Sequence, residues 1–178
     1  SHFTRLEFSL RNGTDVTTFS DSINQLTDNL EKNYLLALLE KRKFEYDNSF
    51  NLLYSLLLNY PAYYPFYDEL IFTAKASDNV KLLTKFISEN KSTNNFSEYL
   101  SALINYHENK YSDAVQTLKY KREFEELYLL SYSYRGLGDY KNALNILDKS
   151  ESLISIDNNM ISKVFVSKGS LYLLSGKY

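Results

Sequence analysis

The sequence predicts an all-α protein built from a repeated pair of short antiparallel helices. Two observations carry that prediction. Five segments superpose on one another, beginning at Asn33, Phe66, Glu98, Leu127 and Phe165, with offsets of 33, 32, 29 and 38 residues. Each is followed, about a dozen residues on, by a second stretch whose apolar residues fall at helical spacing. A period of this length belongs to architectures in which each unit covers the next. The 178 residues, 44% hydrophobic and 24% charged, suit one domain or one short repeat array with a sizeable core.

The N-terminal stretch differs from the repeated segments. Ser1-His2 reads as the remnant of a cleaved affinity tag. Leu6, Phe8 and Leu10 then alternate with Arg5, Glu7, Ser9 and Arg11, ending at Asn12-Gly13. That alternation predicts a short strand or extended segment before a hairpin-type turn. It is either an N-terminal extension or the tail of a preceding domain. Val16, Phe19, Ile23, Leu26 and Leu30 recur at helical spacing and predict a leading helix. Residues 1–29 thus form an extension, and the repeats occupy residues 30–178.

Within the repeats, Tyr34, Tyr67, Tyr99 and Tyr128 share one column. The most legible unit is Tyr134-Arg135-Gly136-Leu137-Gly138-Asp139-Tyr140-Lys141-Asn142-Ala143-Leu144. Gly138 supplies a left-handed backbone that ends one helix, and Asp139 stands where it caps the next. Ser131 and Ala143 are small where two helices would cross in close contact. This unit resembles the heart of a tetratricopeptide repeat. Asn109-Lys110-Tyr111-Ser112-Asp113-Ala114-Val115 is similar, with Asn in the glycine position, and so is Gly176-Lys177-Tyr178, with Gly169 as the small residue. Ala37, Tyr46, Ser49 and Pro61 fit a first repeat. The second departs, with Leu70 and Leu82 where the family prefers small residues, and is expected to space its helices more widely.

The resemblance implies a right-handed α-solenoid, a superhelix of about four and a half units over residues 30–178. Gly176-Lys177-Tyr178 would introduce a further helix, so the array is expected to continue, with Phe165 and Tyr172 otherwise uncovered.

Composition excludes several kinds of chemistry. A net charge of −2 gives no basic excess to track nucleic-acid phosphates. With no Cys and 2 His there is no disulfide framework, no zinc-thiolate set and no thiol nucleophile. His107 stands alone, and Gly136-Leu137-Gly138 lacks the third glycine and preceding strand of a phosphate loop. Glu31, Glu125 and Glu126 read as carboxylates in first helical turns, where the helix dipole favours them. No enzyme activity, cofactor or metal is expected. The longest apolar run, at residues 52–58, is far short of the roughly 20 residues of a membrane span. Nothing in the composition sets a compartment.

Aromatic content is the more informative feature, with 17 Tyr and 11 Phe. In the family the first helices of successive repeats line a concave groove. The resemblance therefore implies a groove bearing Tyr34, Tyr67, Phe96, Tyr99, Leu103, Tyr106, Tyr128, Tyr132 and Arg135, with Lys41, Arg42 and Lys75 at its margin. Tyrosine offers wide apolar contact and a hydroxyl for little lost rotamer entropy. The expected function is a non-enzymatic scaffold or adaptor whose partner is a protein or peptide segment with apolar anchors and acidic flanks. Packing of each first helix on its neighbour is the alternative role for the Tyr column. Family members that clamp a terminal carboxylate use Lys, Asn and Arg, but here Tyr99, Leu103, Tyr128 and Tyr132 hold matching places, so that clamp is absent. Two further roles stay open: an accessory module of a larger enzyme or membrane-associated assembly, and self-association.

Overall fold

A computed structural model of the chain describes residues 2–12, 19–90, 95–154 and 158–176. Their regular secondary structure is all helical, with no strand among the described residues. The chain divides into two compact units, Ser1–Ser88 and Glu89–Tyr178.

The first unit opens with α1 (His2–Asn12), α2 (Phe19–Asn24), α3 (Asn29–Arg42) and α4 (Tyr46–Asn59). A 3₁₀ turn, Tyr64–Phe66, leads into α5 (Tyr67–Ala76), and α6 spans Val80–Asn90. α3 and α4 pack as an antiparallel pair, and α5 lies against α4. At the α3–α4 crossing the small Ser49 hydroxyl donates to the Ala37 carbonyl at 2.8 Å, both residues being buried. Phe50, Leu53, Leu57, Phe66, Leu70 and Leu83 fill the core. α5 and α6 approach each other far less than α3 and α4 do, in keeping with the wide spacing expected from Leu70; Leu82 is half exposed.

The predicted N-terminal strand is a helix. Leu6 and Leu10 are buried while Phe8 is 68% exposed. The same alternating letters contain an i,i+4 apolar pair, and the Glu7–Arg11 ion pair at 3.1 Å supports a helical turn. Gly13, part of the expected turn, lies outside the described residues, as does Val16. The predicted leading helix is short as well. α2 ends at Asn24, and Asp28 starts α3 afresh by accepting from the Leu30 and Glu31 amides at 2.8 and 3.0 Å.

The second unit holds α7 (Asn95–His107), α8 (Tyr111–Leu118), α9 (Phe124–Gly136), α10 (Tyr140–Glu151) and α11 (Asn158–Leu174). α7 pairs with α8 and α9 with α10, and α11 packs on α10. Ser131 and Ala143 are buried, as their small size requires. Lys168 of α11 ties back to Asp148 and Glu151 of α10. On α11, Phe165, Val166, Tyr172 and Leu173 are exposed. Gly169, expected as a close-contact residue, has open space where a side chain would stand. No described helix is long and apolar enough to cross a membrane.

One backbone device recurs at the turns. Phe44, Asp78, Asn109, Gly138 and Gly176 all have positive φ, between 56° and 75°. At the first four, the next residue's amide donates to the carbonyl five residues back: Glu45 to Glu40, Asn79 to Ala74, Lys110 to Asn105 and Asp139 to Tyr134, at 2.8–3.0 Å. This bond closes a helix through a left-handed residue. Asp139 then caps α10, accepting from the Asn142 amide at 3.1 Å.

Candidate functional site

In the first unit the expected groove residues are part of the interior. Tyr34 is fully buried beneath α1, its ring 6.3 Å from that of Phe3. Its hydroxyl accepts from the Arg11 guanidinium and lies 3.5 Å from Glu7. Arg11 also donates to Glu69 of α5 at 3.0 Å, and Lys41 pairs with the other oxygen of Glu69. Arg42 closes the end of α1 by donating to the Leu10 carbonyl at 2.7 Å. Tyr67 is buried too, its hydroxyl donating to the Pro61 carbonyl at 2.6 Å. Burial pushes the Tyr34 and Tyr67 phenols well above their ordinary range. The proposed margin residues Lys41 and Arg42 are therefore committed to holding α5 and α1, and Lys41 lies over the Phe72 ring at 5.0 Å. Fully buried tyrosines offer no surface to a partner, which corrects the placing of Tyr34 and Tyr67 in a groove.

The second unit brings several of the predicted residues together. Tyr106 near the end of α7 meets Tyr132 of α9 edge-on at 6.3 Å, and Tyr111 of α8 at 5.6 Å. Tyr132 lies 4.9 Å from Tyr128, which stacks on Phe124 at 5.8 Å. The Arg135 guanidinium sits 5.7 Å from the centre of the Tyr132 ring, a cation–π contact. Tyr106, Tyr128, Tyr132 and Arg135 are all partly exposed. Tyr99 and Leu103 are buried in α7, so they belong to the core. Phe96, partly exposed, stands in the first turn of α7. Ten residues separate it from Tyr106, about 15 Å along a helix.

Hydrogen-bond capacity decides what the cluster can offer. Ser167 of α11 donates to the Lys163 carbonyl at 2.8 Å. Its oxygen is then an acceptor for Tyr128 and Tyr132, whose hydroxyls lie 3.0 and 3.1 Å away and 3.1 Å from each other. All three hydroxyl protons are engaged, and they tie α9 to α11. Burial pushes the Tyr128 phenol up to about 12, opposed by Ser167 and reinforced by Tyr132. What remains for a partner is ring surface plus the Arg135 charge, which has no carboxylate partner among the described residues.

Among the described residues no group of His, Asp and Glu is placed to hold a metal ion. His107 is exposed at the end of α7, its ring edge-on to Tyr106 at 5.8 Å. Glu126 stands in the first turn of α9, as expected, and is buried there. One of its oxygens accepts from the Glu123 amide at 3.2 Å and the other has no partner. Burial raises its pKa above the ordinary carboxylate value.

The residues that sequence reasoning missed are Glu7, Arg11, Glu69 and Ser167. Arg11 and Glu69 are 58 positions apart and carry no motif, so only the fold joins them. Glu7 and Arg11 had a signal in their i,i+4 spacing, obscured by the alternating apolar letters. No protein-family model matches the chain, and no curated protein matches it either.

Proposed function

We propose that the chain is a tetratricopeptide-like solenoid acting as a non-enzymatic scaffold, which holds a protein or peptide segment against the aromatic face of α7 and α9. The recurring helix-closing turn and the packed helix pairs support the repeat reading. The observation that carries the binding reading is the partly exposed cluster of Tyr106, Tyr132 and Arg135, in which a guanidinium with no carboxylate partner among the described residues lies over an aromatic ring. Aromatic residues and arginine dominate the energetics of protein interfaces because they combine wide contact area with directional polar groups. The ligand that suits them is a segment with an apolar or aromatic anchor and an adjacent carboxylate.

A random peptide library displayed on phage and selected on the full chain provides the test. Enrichment of apolar–acidic sequences is expected. Their affinity falls at least tenfold in the variant combining Tyr106→Ala with Arg135→Glu, at unchanged far-UV circular dichroism. Tenfold corresponds to about 1.4 kcal/mol. Selection of the same sequences by both proteins would remove this face from consideration.

A further inference from the structure

A second feature of the Glu89–Tyr178 unit is independent of the aromatic face. Four of the five residues joining α8 to α9, with residues of α9 and the end of α10, line a half-open cleft of about 460 Å³. Lys119, Lys121, Arg122 and Lys149 all line it. Lys121 is neutralised by Glu98 of α7. Among the described residues the other three have no carboxylate partner. Lys119 donates to the neutral Gln116 amide at 3.0 Å and lies over the Tyr120 ring at 4.9 Å, contacts that hold its ammonium in place without cancelling its charge. The acidic residues near the end of α10 are diverted elsewhere, since Asp148 and Glu151 both pair with Lys168 of α11. A chain with a net charge of −2 thus concentrates around one small concavity three cations that no described carboxylate pairs with.

The rest of the lining is apolar apart from Ser152, whose hydroxyl donates to the Lys149 carbonyl at 2.7 Å. Leu127 and Ile146 contribute from α9 and α10, and Leu153 forms a half-exposed edge. Tyr120, 81% exposed, adds an aromatic surface beside the cations. Mutual repulsion among unpaired cations is relieved by a compact anion, and low-dielectric walls strengthen that attraction. Arg122 can grip a tetrahedral oxyanion through two parallel hydrogen bonds, while Lys119 and Lys149 supply point charges. We propose that this cleft binds a phosphate monoester carried on an apolar or aromatic body, with the phosphate among Lys119, Arg122 and Lys149 and the body against Tyr120 and Leu153. Such a group is carried by a phosphorylated side chain or by a small phosphate ester.

Titration of the full chain with phenyl phosphate in 0.15 M NaCl, followed by amide NMR shifts, tests the assignment. Inorganic phosphate and phenol serve as the two halves of the probe. Phenyl phosphate is expected to bind at least tenfold more tightly than either half, with the largest shifts at residues 119–122 and 149. Lys149→Ala and Arg122→Ala are each expected to weaken it at least fivefold, whereas Lys141→Glu, on the exposed start of α10, leaves it unchanged. Both lysines and the arginine are at the surface, and thermal melts check that the variants fold. A phosphotyrosine peptide that binds more tightly still assigns the source to a polypeptide; equal or weaker binding assigns it to a small ester. Binding that is unchanged in Lys149→Ala and Arg122→Ala, or that is no tighter than for inorganic phosphate, overturns the proposal.

Discussion

Two glycines show how the same residue type is fixed by different physics. At Gly136 a Cβ would stand 2.6 Å from the Tyr111 ring, so α9 ends against α8 with no room for a methyl group. Gly169 lies within α11 with nothing nearby, where glycine only adds chain entropy to the unfolded state. Gly136→Ala is therefore expected to lower stability by about 1–3 kcal/mol through forced movement of Tyr111. Gly169→Ala is expected to raise it by roughly 0.5–1 kcal/mol. Urea unfolding of both variants against the parent reads the opposite signs directly. The sequence made the small side chain at both places visible, and the φ of +75° at Gly138 agrees with the role read from its position. It did not distinguish a contact from an open space, because the ring that fills the space comes from another helix.

α1 is the element whose character depended most on its surroundings. A helix of 11 residues is marginal on its own, so its order comes from docking. Burial of Leu6 and Leu10 contributes about 2 kcal/mol each. The Arg11 contacts, on a side chain 44% exposed, contribute roughly 0.5 kcal/mol apiece. Apolar contact therefore outweighs the ion network, which fixes the register of α1 on α3 and α5. Leu10→Ala is expected to destabilise the protein by about 2–4 kcal/mol and Arg11→Ala by about 1 kcal/mol. Hydrogen exchange at the α1 amides should rise more in the first variant than in the second. An equal effect would mean that the charges hold the helix. The adjacent helix pairs were legible because their apolar spacing extends over more than a dozen residues, whereas α1 offers three apolar letters that fit two periods at once. Tertiary contact chose between them.

At the scale of the whole protein, buried tyrosines set a limit on the alkaline side. Tyr34, Tyr67 and Tyr128 all have phenols raised above the ordinary value, with Tyr128 at about 12. The unfolded chain releases these protons first, near pH 10. Their contribution to stability is therefore complete below about pH 10 and is lost as pH rises toward 12. The urea midpoint is expected to be flat between about pH 8 and 9.5 and to fall steeply above it. Tyr128→Phe, which leaves Ser167 with Tyr132, is expected to cost about 1 kcal/mol at pH 8 and to show a shallower alkaline fall. Parallel curves would show that Tyr128 ionises alike in both states. Helical class and pairing were thus open to reading from one sequence, and so was part of the aromatic cluster, since Tyr128, Tyr132 and Arg135 lie on one face of one helix. Which tyrosines are interior was not: the cover over Tyr34, for one, comes from α1, an element that the column itself does not contain.

The turn held by a main-chain donor and a main-chain acceptor has one more implication. Phenylalanine, aspartate, asparagine and glycine all occupy its left-handed position here, so three of its four sites lack the residue that a pattern scan would weight most. Shape at these corners is carried by peptide groups that every amino acid possesses. The bend persists across four residue types because the bond that closes it asks nothing of the side chain.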